Sequence, residues 1–140
     1  MSDLPETGNV LLTLVKPEGE LEISLAAQPL KAPGENEVLV KVLAAPINPS
    51  DLGLLVGAAD ASTARAATKD GKPAIIADVP PAGMRAMAGR VGEAMPVGNE
   101  GCGVVVAAGA GAAAQALIGK TVALLGGAMY TQYRTLPVQL

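Results

Sequence analysis

Apolar and polar positions alternate most regularly in EVLVKVLAAP, where Val38, Val40 and Val42 fall on one face and Leu39, Lys41 and Leu43 on the other. A period of two predicts a strand there. Upstream, NVLLTLV and LEISLAA flank KPEGE, whose Pro17 and Gly19 supply turn geometry, so the stretch from Asn9 to Leu30 is predicted to be a β-hairpin. Pro46 and Pro49 break the strand pattern, and PSDLGLLVG, with a Ser or Asp cap ahead of a short apolar turn, is expected to hold about one helical turn. From Ala58 to Pro80 no period is sustained; a loop segment is expected, to which KPAIIADV contributes a short strand. After Pro80 and Pro81, Met84, Met87 and Val91 recur at helical spacing, although Gly83, Gly89 and Gly92 weaken that helix. GCGVVVAAG, KTVALLGG and AMYTQYRTLP then predict three strands with glycine-rich joints. The expected fold class is mainly β, with short helices and a helical insertion.

One glycine motif falls inside this pattern. In VVVAAGAGAAAQALIG, Gly109, Gly111 and Ala114 fit the G-x-G-x-x-A spacing that lets a backbone approach a pyrophosphate at a helix N-terminus. A dinucleotide site also needs a long crossover helix, a second parallel strand and an acid about 20 residues further on. Here a helix has room only from about Ala112 to Ile118 before Gly119 stops it, and no acid follows. The stretch is therefore predicted to be a loop with a helical turn between two strands.

Composition narrows the function classes. A chain of 140 residues is most simply one domain, and with no Phe or Trp its core must be built from Val, Leu, Ile, Ala and Met. The formal charge is −3, there is no Lys/Arg block and only two residues are aromatic, so nucleic acid is not expected as a partner. No cationic start precedes an apolar run, and no window reaches the roughly 18 apolar residues of a membrane span, so a cytoplasmic protein with no membrane partner is expected. Every Asp and Glu lies at or before Glu100, and the last forty residues carry only Lys120 and Arg134. That asymmetry implies a C-terminal third that is buried, or covered by something outside this sequence.

Three ordered blocks, EVLVKVLAAPINPSDL, PVGNEGCGVVVAAG and GKTVALLGGAMYTQYRTLP, resemble the N-terminal GroES-like domain of zinc-free medium-chain dehydrogenases/reductases, of the quinone oxidoreductase and 2-enoyl thioester reductase branch. The resemblance implies a GroES-like, partly open β-barrel with no Rossmann domain in this chain. Residues 1–140 would form the substrate-side catalytic domain, with a variable insertion at 58–95. It also implies reduction of a quinone or an activated enone or enoyl substrate by NADPH or NADH, the cofactor being bound mainly by a domain not present here. A small-molecule substrate is the implied partner, and the resemblance leaves room for a homodimer of the full-length protein. A freestanding GroES-like binding or assembly module without catalytic activity is the alternative.

Zinc-dependent relatives place a Cys where NPSD has Asn48 and a His where GNEG has Asn99. The chain has no His and a single Cys, Cys102, and a neutral amide is a poor zinc donor, so no metal site is expected. Without zinc, developing oxyanion charge must be met by hydrogen-bond donors. Asn48 offers a side-chain amide, and the resemblance places it beside the nicotinamide. It is the leading catalytic and cofactor-binding candidate, though an Asn capping the turn before Pro49 is the structural alternative. Asp51 is a second catalytic candidate, equally placed to cap the helical turn. Asn99 is a cofactor-binding candidate lining the cleft. Glu100, the acid of the zinc relatives' Gly-His-Glu motif, is read as a hydrogen-bonding strut, and Tyr133 as a packing residue. Relatives carry a Tyr five residues after the Asn, or slightly further on; Gly53 and Ala59 stand there, so the sequence names no proton donor.

Overall fold

The computed structural model describes residues 3–138. The chain forms two compact units: the first comprises the residues up to Val10, Ala27–Pro46 and those from Gly98 onward, the second Leu11–Ala26 and Ile47–Val97. The N-terminal hairpin, β1 (Thr7–Lys16) and β2 (Glu20–Pro29), contributes to both. Its turn closes through the Gly19 N–H on the Lys16 carbonyl at 3.1 Å, with Gly19 at a φ of 91° that favours glycine.

The first unit is built on a four-stranded antiparallel sheet. Its strands are β3 (Glu37–Ala44), β7 (Glu100–Ala108), β8 (Thr121–Leu125) and β9 (Tyr133–Pro137), in the order β8-β7-β3-β9. The alternation in β3 does what the sequence predicts: Val38 and Val40 enter a core with Val105, Ala114, Leu124 and Met129, while Lys41 and Leu43 face outward. Leu39 is buried as well, as befits a strand with neighbours on both sides. Between β7 and β8 lies α3 (Ala112–Gln115), a single turn. Because β7 and β8 pair antiparallel, Gly103 opposite Val122, the glycine motif sits in a tight connection and not in a parallel crossover.

The second unit holds a five-stranded sheet in the order β4-β5-β2-β1-β6, formed with β4 (Asp60–Lys69), β5 (Lys72–Asp78) and β6 (Ala94–Pro96). Helix α1 (Pro49–Leu55), helix α2 (Pro81–Ala86) and a 3₁₀ turn (Ala88–Arg90) complete it. Val15, Leu21, Val79 and Met87 form its core, with Met84 packed against them, so these methionines fill the interior.

Three local expectations are corrected. The loop expected before KPAIIADV is the ten-residue strand β4, paired to β5 through a two-residue turn at Asp70 and Gly71, both at positive φ. Its alanines and threonines carry no clear period because most of β4 is exposed on both faces at the sheet's edge. The helix expected to reach Val91 ends at Ala86, where the chain tightens into the 3₁₀ turn. The helical turn after Pro49 is longer than expected, seven residues.

Candidate functional site

Helix α1 starts where the local chemistry requires. Asn48 precedes a proline, which disfavours the helical conformation, and it adopts an extended φ of −88° and ψ of 156° as the N-cap. Pro49 follows at the first helical position, where its missing N–H costs nothing. Asp51, two residues further on, closes a capping box: its Oδ2 accepts the Asn48 backbone N–H at 2.8 Å, and the Asn48 side chain accepts from the Asp51 N–H. The Asp51 side chain is almost wholly buried, 2% exposed, and Asn48 is half-buried beside it. At the other end, the Val56 and Gly57 N–H groups both donate to the Leu52 carbonyl at 3.0 Å. Gly57 takes the left-handed conformation, φ 58°, that commonly ends a helix. The N-cap is thus Asn48 and not the expected Ser50 or Asp51, with Asp51 capping from the third helical position, and the structure brings the two candidates together.

The far end of α1 is tied to β1. Thr13, fully buried, donates its hydroxyl to the Leu55 carbonyl at 3.1 Å and accepts from Arg90 Nη2 at 3.1 Å. Nothing in the sequence marked Thr13 or Arg90, since one reads as a polar interruption in an apolar strand and the other as a helix-face cation. Their meeting depends on the pairing of β1 with β6, which sets Thr13 opposite Met95 and brings the end of the 3₁₀ segment alongside.

Asn99 belongs to the first unit. Its backbone carbonyl accepts from Gly126 and Gly127 at 3.3 and 3.5 Å, and its side chain is exposed. Gly98 before it has a φ of 104°, and a Cβ there would press on the backbone nitrogens of Tyr130 and Met129. Glu100 opens β7 opposite Leu125. The hydroxyl of Tyr130 donates to the Pro46 carbonyl at 2.9 Å, so of the two phenols this one fastens the loop leaving β3. Tyr133 lies half-buried in β9, its ring against Gly8.

Gly109 and Gly111 serve packing. Their N–H groups donate to the carbonyls of Glu37 and Glu35 at 2.9 and 2.8 Å, and a Cβ on Gly109 would overlap the Gly34 carbonyl oxygen. These amides, which a dinucleotide fold would turn toward phosphate, are spent on the Gly34–Glu37 loop. Among the described residues no three His, Cys, Asp or Glu side chains come together as a metal-holding group. A groove of about 400 Å³ opens in the first unit between β8 and β9, lined by Val38, Leu117, Val122, Leu136 and Val138, with Arg134 as its charged member. The Arg134 guanidinium is engaged with the carbonyls of Gly127 and Thr135. No helix among the described residues is long and apolar enough to cross a membrane.

No family model matches the sequence, and no curated protein does. Solved structures do match. A Bacillus thuringiensis protein described as a "putative NADPH:quinone reductase" superposes with a TM-score of 0.59 at 25% identity, covering 94% of this chain and 31% of its own. A Mesorhizobium loti protein of the same description gives a TM-score of 0.55 at 23% identity over 96% of this chain and 35% of its own. The chain thus spans about a third of the length of these structures. It shares the fold of that part of them, and the resemblance read from the sequence, to the GroES-like domain of a quinone oxidoreductase, is borne out. The mainly β fold class with short helices agrees with this.

Proposed function

We propose that this chain is the substrate-side domain of an NADPH-dependent, zinc-independent oxidoreductase that reduces a quinone or an activated carbon-carbon double bond. The observation that carries the reading is the fold shared with proteins described as NADPH:quinone reductases over nearly the whole chain. The Asn48–Asp51 capping box supplies the chemistry. The capping box engages the Asn48 side chain through its oxygen, and the NH₂ group of the same amide is chemically a donor. Such a donor can meet a substrate oxygen as negative charge develops on it, a contribution worth roughly 3 kcal/mol when well placed. NADPH, when bound, would supply the hydride. Asp51 is the positioning group, because its buried carboxylate fixes the Asn48 backbone. Asn99 is the second cofactor-binding candidate, and its exposed side chain is compatible with that role.

The donor set does not suit zinc: the positions where zinc-dependent relatives carry Cys and His hold the amides of Asn48 and Asn99. The Rossmann-type platform lies outside this chain in this reading, and the amides of the glycine motif are already occupied. NADPH titration of the 140-residue chain is expected to show no micromolar binding. Quinone and enone reduction should be assayed on the intact gene product from its own cells, whose mass is expected to be well over twice 13.9 kDa. An intact mass of 13.9 kDa would instead favour the freestanding binding module.

A further inference from the structure

We propose that Arg90 is a positioning residue for the α1 site, acting through Thr13 on the helix end opposite Asn48 and Asp51. The inference rests on the reading of Asn48 and Asp51 as the site. Its basis is a relay within the second unit: Arg90 Nη2 donates to Thr13 Oγ1 at 3.1 Å, and Thr13 Oγ1 donates to the carbonyl of Leu55, the last residue of α1, at 3.1 Å. Both bonds need the same hydroxyl in one rotamer, because a hydroxyl has one proton to give and lone pairs to receive. Arg90 therefore orients the Thr13 proton toward the helix. Helix α1 is a two-turn rod, so a tilt at Leu55 moves its N-cap as well.

Arg90 sits where an arginine is costly. Its Nε is buried without a hydrogen-bond partner, burial pushes the guanidinium below its ordinary value, and no salt bridge to it exists among the described residues. The space beside it is tight: a Cβ on Gly57 would strike Met87 Sδ and come within 3.5 Å of Arg90 Nη1. Arg90 is only partly buried, but its buried Nε has no partner, so an apolar side chain of similar length should be tolerated by packing alone. What the apolar side chain cannot do is donate to Thr13. Stability and positioning thus make opposite demands on this residue, and that opposition separates a positioning role from a merely structural one.

The test measures global stability and local opening together in the 140-residue chain. Arg90→Met is expected to leave the urea unfolding midpoint unchanged or raised, while amide hydrogen exchange at Asn48 and Asp51 quickens about tenfold, the worth of one hydrogen bond. Thr13→Val, which removes the hydroxyl at the same shape, should quicken the same amides, and the double variant should add nothing further. Arg90→Lys, which keeps a donor, should retain most of the protection. Unchanged exchange at Asn48 and Asp51 in Arg90→Met or in Thr13→Val overturns the proposal, as does a global loss that accounts for the local one. If the intact protein shows no NADPH-dependent reduction, the exchange result still stands by itself, so failure of the functional reading and failure of the coupling are told apart.

Discussion

Glu22 is buried on β2 between Lys16 of β1 and Lys69, which reaches over β5 from β4, with ammonium-to-carboxylate distances of 3.0 and 2.6 Å. Burial alone would raise its carboxyl, but the hydrogen bonds from Lys69 and Lys16 outweigh that and hold it below the ordinary 4.5. A carboxyl depressed by folding contributes stability that is complete above its unfolded value and is lost as pH falls through the folded one. Chain stability should therefore decline below about pH 4.5, and Glu22→Gln should flatten that part of the profile in urea melts taken from pH 7 to 3. At neutral pH the same variant should cost about 1 kcal/mol, less than a fully buried pair because Lys69 is 42% exposed and screened by solvent. A different residue-scale test falls on Gly109, where any Cβ meets the backbone oxygens of Gly34 and Glu35, atoms that cannot step aside. Gly109→Ala should destabilise the chain by about 2 kcal/mol, read from the denaturation midpoint. A nucleotide-binding glycine would instead show its loss in cofactor affinity with stability kept.

At the level of elements, the β4–β5 hairpin depends on two residues at positive φ, Asp70 at 51° and Gly71 at 76°. Two adjacent left-handed residues define a type I′ turn, whose twist matches that of the paired strands. Space is not the constraint at Gly71, since a Cβ there would meet nothing within 4 Å. Its conformation is, so Gly71→Ala should destabilise the hairpin by about 1 kcal/mol, while Asp70→Asn should be neutral or slightly stabilising. Hydrogen exchange at β4 and β5 amides would register both. The Asp-Gly pair in TKDGKP is the sequence signal that could have revealed β4, because Asp-Gly between strand-compatible runs is a strong hairpin mark. Periodicity could not reveal it, since an edge strand that buries little side-chain surface needs no apolar alternation. Helix α1 is the contrary case. Asn-Pro followed by Asp at the third helical position encodes its own start, and Asp51→Ala should cost about 1–2 kcal/mol by opening the capping box.

On the scale of the whole molecule, the uneven charge of the sequence has a visible counterpart. In the acid-free C-terminal third, Leu125 is 72% exposed and Ile118 49%, in the unit that carries the apolar groove. Exposed aliphatic side chains add little to folding stability but lower solubility. Leu125→Lys should therefore leave the unfolding midpoint within about 0.5 kcal/mol of the parent and raise the ammonium sulfate concentration needed to precipitate the chain.

What the sequence determined by itself is whatever its neighbours in the chain enforce. Alternation in β3, the apolar runs of β1 and β2, the turn at Gly19 and the helix start at Asn48-Pro49 are local facts, and they sufficed for the mainly β fold class; the three ordered blocks carried the family resemblance, which in turn pointed to Asn48 as a candidate. Tertiary structure decided what depends on distant partners. It alone joined Arg90 to Thr13 across 77 positions and Thr13 to Leu55 across 42, laid the amides of Gly109 and Gly111 on the Gly34–Glu37 loop, and placed Asn99 on the Gly126–Gly127 turn. A hydrogen bond between residues so far apart leaves no periodic trace, because its geometry is fixed by strand pairing and close packing and not by the order of residues along the chain.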